Sequence, residues 1–188
     1  MKKLQLLLIT CSLFICGLSD ESVYAIKYEE TQPIEIPYAE IGFTTVEEAV
    51  KEFEHYYQQD LKLPLKVPPL PFTHHFGRFT DLDGVANDAF ELEFINEESP
   101  ESHYILNVRP VQYKIPIKAK YTLKTYKLKN GEEATLINIA DSFVALVFER
   151  DNWQYMLSID KRITDKVTPK ILVDIANSID YLGETKQP

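Results

Sequence analysis

His74 and His75 stand side by side, with Asp81 and Asp83 a few residues on, and these are the donor types of a divalent-metal site. Adjacent residues of a strand point to opposite faces, so the two imidazoles converge on one ion only if the chain bulges at Gly77. The stretch 81–88, DLDGVAND, offers three aspartates and an asparagine but lacks EF-hand spacing and its terminal glutamate. A polar hairpin turn explains it equally well. Glu91 and Glu93 fall on one strand face about 7 Å apart, a separation compatible with paired-carboxylate catalysis. Alternating strands produce such pairs constantly, and a solvated face is the plainer reading. GxSxG, HExxH and a phosphate-cradling glycine loop are absent. The sequence therefore points to no catalytic residue, no metal ligand and no cofactor.

Positive charge is distributed less evenly. The formal net charge is −9, which argues against nucleic acid as a partner. Yet 104–130 has no acidic residue and carries Arg109, Lys114, Lys118, Lys120, Lys124, Lys127 and Lys129. On a strand, Lys114, Lys118, Lys120 and Lys124 share one face, a basic stripe suited to an anionic wall polymer or lipid headgroup. The competing readings are cross-strand pairing with Glu91 and Glu93 and protection of an edge strand. The single tryptophan, Trp153, sits just past a polar turn beside Glu149, Arg150 and Asp151. It reads as packing across a hairpin from Phe148 or Val147, with a ligand-facing role as the alternative.

The elements that position these residues follow from periodicity. Residues 26–43 contain two prolines and no sustained period, and read as an extended arm. Thr44 with Glu47 and Thr45 with Glu48 give two overlapping capping-box signals. Val46, Ala49, Val50, Phe53 and Tyr57 then follow at helical spacing, which predicts a helix over 45–59. Four prolines in LKLPLKVPPLP (61–71) force an extended strap. From there the period is two: Phe90, Leu92 and Phe94; Tyr104, Leu106 and Val108; and one long strand over 113–124, with Pro116 placing it at an edge or bulge. Asn130-Gly131 signals a hairpin, and two more strands lie near 142–149 and 153–159. Thr168, Pro169 and the stripe Ile171, Leu172, Ile175, Ala176 and Ile179 predict a closing helix, stopped at Gly183. The fold class is α+β: a curled antiparallel sheet of about seven strands packed against an N-terminal and a C-terminal helix.

Residues 128–180, read together, resemble a family of extracytoplasmic domains from Gram-positive bacteria that occurs in secreted proteins, in lipoproteins and as the outer part of some anti-sigma factors. The shared features are an aromatic and acidic strand end (Phe148-Glu149), a short polar turn (Asp151-Asn152), a Tyr-x-Leu strand (Tyr155 to Leu157) and a helix ending in Ile-Ala-x-Ser-Ile (Ile175 to Ile179). The family usually has tryptophan before the acid, where this chain has Phe148. The resemblance implies a sheet-and-helix domain related to periplasmic lipoprotein-carrier folds, with no catalytic residues.

Met1-Lys2-Lys3, the apolar run from Leu4 to Cys16 and Ser-Val-Tyr-Ala at 22–25 have the layout of a secretory signal cleaved before Ile26. The run is shorter than the ~20 apolar residues of a spanning helix. The alternative is a lipoprotein anchored through Cys16, for which Ile15 is a poor preceding residue. Cys11 and Cys16, the only cysteines, both fall in this leader, so the remainder must be stabilised by its core alone. At about 160 residues it is long enough to bury one. The expected organisation is a signal over 1–25, the arm over 26–43, one domain over 44–183 and a tail over 184–188. The expected function is that of an exported non-catalytic module that binds or senses an unidentified ligand or protein at the bacterial cell envelope. The alternative is an acyl-chain carrier, with Phe90, Phe94, Tyr104, Tyr113 and Tyr121 lining a pocket in the curled sheet. Intact-mass analysis of the exported chain should find Ile26 as its first residue; a diacylated Cys16 start would overturn that processing.

Overall fold

The period-two pattern becomes seven antiparallel strands: β1 (His74–Thr80), β2 (Ala89–Ile95), β3 (Tyr104–Pro110), β4 (Thr122–Lys127), β5 (Glu133–Ile139), β6 (Phe143–Arg150) and β7 (Trp153–Asp160). They form one open sheet in the order β1-β2-β3-β7-β6-β5-β4. Among the described residues three helices accompany it, α1 (Glu35–Glu40), α2 (Val46–Tyr57) and α3 (Pro169–Ala176), giving the expected α+β class. This computed structural model describes residues 32–81, 88–139 and 142–179, which belong to one compact unit beginning at Gln32. The leader with Cys11 and Cys16, the start of the arm, residues 82–87 of the aspartate-rich turn (Asp83 included), Gly183 and the tail lie outside the described residues.

One face of the sheet carries the main core. Phe90, Leu92, Leu106, Val108, Tyr155 and Leu157 are all buried there, aligned by register: Leu92 opposite Leu106, and Leu106 opposite Leu157. α2 and α3 cover this face with Ala49, Phe53, Leu172 and Ile175. α2 starts with the Thr45 capping box: Thr45 Oγ1 accepts from Glu48 N at 3.2 Å, and Glu48 Oε2 accepts from Thr45 N at 3.3 Å. The overlapping Thr44–Glu47 box does not form; the Thr44 hydroxyl donates to Glu48 instead. At Gly77 the helix lies directly on β1: a Cβ there would come within 2.9 Å of Val46 Cα and Ala49 Cβ. Thr44 and Gly77 also exchange two backbone hydrogen bonds, at 2.8 and 3.0 Å.

The proline-rich segment 61–71 runs without regular structure, as its composition predicts. Since proline cannot donate to a ladder, side chains tether the segment instead. Tyr155 Oη donates to Lys62 O at 2.9 Å, Leu61 N donates to Glu54 Oε1 at 2.8 Å, and Lys66 N donates to Ser178 Oγ at 3.2 Å.

Four expectations are corrected. The arm is not extended throughout, because Glu35–Glu40 forms α1. Pro37 sits at the third helical position, where the missing N–H would have no intrahelical partner in any case. The long strand over 113–124 is not formed. Only Thr122–Lys127 pairs, with β5, and the preceding residues make 3-10 turns at Val111–Tyr113 and Ala119–Tyr121. The Asn130-Gly131 hairpin is present, but only Gly131 takes positive φ (91°). Gly131 N donates to Leu128 O and Leu128 N to Glu132 O, a longer loop closed by a left-handed glycine. α3 ends at Ala176, three residues before Ile179, although Ile179 is still buried.

Substituting Gly77 by alanine should destabilise the fold by about 1–3 kcal/mol through overpacking against α2. A lowered urea midpoint with an unchanged m-value is the expected readout.

Candidate functional site

β3 and β4 are consecutive in sequence, yet β7, β6 and β5 lie between them. The connection Val111–Tyr121 must therefore travel roughly 19 Å at ~4.8 Å per strand spacing. α2 and α3 occupy one face, so the crossover takes the other. There β5, β6 and β7 present a second, smaller apolar cluster: Ile137, Ala145 and Val147 are buried, with Ile139 and Met156 packed against them. One buried side chain holds the crossover in place. Gln154, on β7, donates from Nε2 to Ile115 O at 3.0 Å and accepts at Oε1 from Ile115 N at 2.8 Å. The amide reproduces the two-bond pairing of a neighbouring strand at a single residue.

Between crossover and sheet lies a cleft of 480 Å³, roofed by Ile115, Ile117 and Tyr121 and floored by Ile137, Val147 and Met156. Its volume is within the range of roughly 300–1,000 Å³ usual for small-molecule sites. Ile115 and Ile117 are 41% and 37% exposed despite lining it, so apolar surface stays in contact with water. Lys118 is the only charged residue on the described lining. An adjoining groove of 440 Å³ shares Ile117, Val147 and Gln154, and there the walls turn acidic, with Glu132, Glu133, Glu149 and Asp151 beside Arg150.

The basic stripe is not a stripe. Lys114 follows the first 3-10 turn, Lys118 and Lys120 flank and enter the second, and only Lys124 is on a strand. Without a shared strand they do not share a strand face. Lys114 pairs with Glu149 at 2.7 Å. The Lys120 and Lys124 amines lie over the rings of Tyr121 and Tyr126, at 4.7 and 5.1 Å from the centroids. β4 is an edge of the sheet, so Lys124 does occupy an edge strand. The alternative pairing with Glu91 and Glu93 is ruled out by topology: β2 and β4 are near opposite edges.

Trp153 is not an open hairpin residue either. It stands opposite Arg150, while Phe148 stacks on Tyr155 at 5.2 Å. The indole is 2% exposed and packs on Phe53 and Tyr57 of α2, at centroid distances of 4.8 and 5.2 Å. Asp151 and Asn152, at φ 49° and 70°, form the two-residue turn whose twist suits a hairpin. That register turns Trp153 to the helix face and Gln154 to the crossover. Of the candidate binding residues, Lys118 alone lines the cleft.

Glu91 and Glu93 are partnered rather than solvated. Arg78 and Asn107 each donate to Glu91 at 2.7 Å. Glu93 accepts from the Tyr38 hydroxyl of α1 at 3.0 Å and lies 3.3 Å from His103 Nε2. Burial pushes the Glu93 carboxyl up, but the hydrogen bond and charge of His103, with Tyr38 and Arg78, more than offset this and hold it below the usual range. His74 stacks on Phe76 beside Glu35, and His75 stacks on Phe94, so the two rings diverge across the sheet. Among the described residues no group of three or more His, Cys, Asp and Glu side chains is placed to hold a metal ion. No described helix is long and apolar enough to cross a membrane. Phe94 and Tyr104, expected to line a lipid pocket, border a smaller cavity of 260 Å³, and Phe90 is fully buried in the core.

The residues that sequence reasoning missed are Gln154, Ile137, Val147 and Met156. A partial signal existed: Gln154, Met156 and Ser158 alternate with Trp153, Tyr155 and Leu157, marking a second face of mixed polarity. No family model, curated protein or solved structure matches the chain.

Replacing Gln154 with alanine removes both contacts to Ile115. The Ile115 amide should then exchange with solvent far faster, and trypsin should cleave more readily after Lys114 and Lys120, while the core amides of β2 and β3 keep their protection. Hydrogen-exchange mass spectrometry and limited proteolysis read this directly.

Proposed function

We propose that the chain is an exported, non-catalytic module of a bacterial envelope that binds or senses a small molecule in the cleft beneath Val111–Tyr121. The cleft itself is the observation that carries this reading. It is apolar, of ligand size, and its described lining holds no carboxylate, thiol or imidazole. With Lys118 and Tyr121 as the only ionisable residues on its described lining, a site of that chemistry suits binding of an apolar molecule. Export is supported by the signal-like leader, and an envelope setting by the resemblance over residues 128–180. A polyanionic wall polymer is less well supported as the ligand, since the four lysines do not form the continuous stripe it would need.

Protein purified from its native host, extracted with organic solvent and analysed by mass spectrometry, should release one small molecule in near-stoichiometric amount. Met156→Trp, which fills the floor of the cleft, should release none. Turnover in a hydrolase substrate panel that vanishes with a point substitution in the cleft would overturn the non-catalytic reading.

A further inference from the structure

We propose that the ligand of this cleft is a single-chain amphiphile with an anionic head, of the long-chain carboxylate class, its chain under the crossover and its head at Lys118. The inference rests on the binding reading above and specifies its chemistry. An alkyl chain matches a mainly apolar lining that includes Ile115, Ile117, Ile137, Ile139, Val147 and Met156. The same chain would cover Ile115 and Ile117, which are still more than one-third exposed.

Charge sets the head and its direction. Lys118 is the only charged residue on the described lining. Lys120, off the lining itself, holds a second amine 4.7 Å from the ring centroid of Tyr121, which does line the cleft. Both belong to the acid-free stretch 104–130 of a chain whose net charge is −9, so the charges nearest to Lys118 in sequence are cationic. Where Ile117, Val147 and Gln154 lead into the neighbouring groove, Glu132, Glu133, Glu149 and Asp151 line the way. A carboxylate is repelled from that end and attracted to Lys118. The tail therefore points toward Val147, and the head stays at the lysine lip.

Calorimetric titration of the full exported chain with dodecanoate and decanoate below their micellar concentrations, and with dodecanol below its solubility limit, tests this. Dodecanoate should bind saturably at one per chain. Decanoate, two methylenes shorter, should bind roughly tenfold more weakly. Dodecanol should bind more weakly than dodecanoate, and rising salt should narrow the gap. Lys118→Glu should weaken dodecanoate while leaving dodecanol unchanged. Ile117→Glu, on the half-exposed crossover where folding is not at stake, should abolish both, as should Met156→Trp. Equal binding of acid and alcohol, or a Lys118→Glu variant that binds dodecanoate as before, would overturn the anionic head. Failure of all three probes would overturn the amphiphile altogether. The broader binding reading would still stand if native extraction yields a different molecule that Met156→Trp loses.

Discussion

A strand sends alternate side chains to opposite faces, and seven strands in one sheet make two large faces to be covered. In this chain two helices, α2 and α3, cover one. They claim the large residues of every central strand, and Trp153, Phe90 and Tyr155 are buried against them. Among the described residues, the second face is covered by the six residues of α1 over β1 and β2 and by the crossover over β5 to β7. The cleft and the polar seam at Glu91 and Glu93 both lie on this more thinly covered face of the described residues.

The crossover cannot settle onto its floor, because an extended segment carries its own N–H and C=O groups. A buried unpaired backbone group costs about 1–3 kcal/mol, and the sheet beneath has already spent its backbone groups on its own ladders. Gln154 supplies one donor and one acceptor, and both go to Ile115. Within the crossover, Lys114 N donates to Val111 O and Tyr121 N to Lys118 O, which turns the chain at each end without lowering it. Water must satisfy much of the rest. The segment is thus tied down by Val111 N donating to Asn152 O, by Lys114 pairing with Glu149 and by Gln154 at Ile115, and beyond Ile115 a gap lined by isoleucine, valine and methionine follows.

At the other end of the sheet, α1 solves the same problem differently. Tyr38 stacks on Phe76 at 4.4 Å and donates its hydroxyl to Glu93, covering an aromatic and a carboxylate with one side chain. Arg78 lies over the Phe43 ring at 4.3 Å while bonding Glu91. Charges that the strand pattern places on this face are partly buried and paired. Under the crossover the described lining is apolar apart from Lys118, Asn138 and Gln154.

The order of residues determined the α+β class, the N-terminus and length of α2 through the Thr45–Glu48 box, the proline-rich strap, and most strands. Each is a local consequence of periodicity, capping or proline chemistry. The same local logic misled at 113–124. Tyr113, Ile115 and Ile117 alternate with Lys114, Pro116 and Lys118, and the two isoleucines line the cleft over an apolar floor; period two reports a half-covered extended chain whether or not a neighbour pairs with it. Pro116 was the residue that argued against a central strand. Only tertiary structure decided that β3 lies beside β7, which forces the crossover over β5 to β7, breaks the lysine stripe and brings Lys118 to Ile137 and Met156. Strand order is fixed by which long-range burial is greatest, and no window of neighbouring residues contains that comparison.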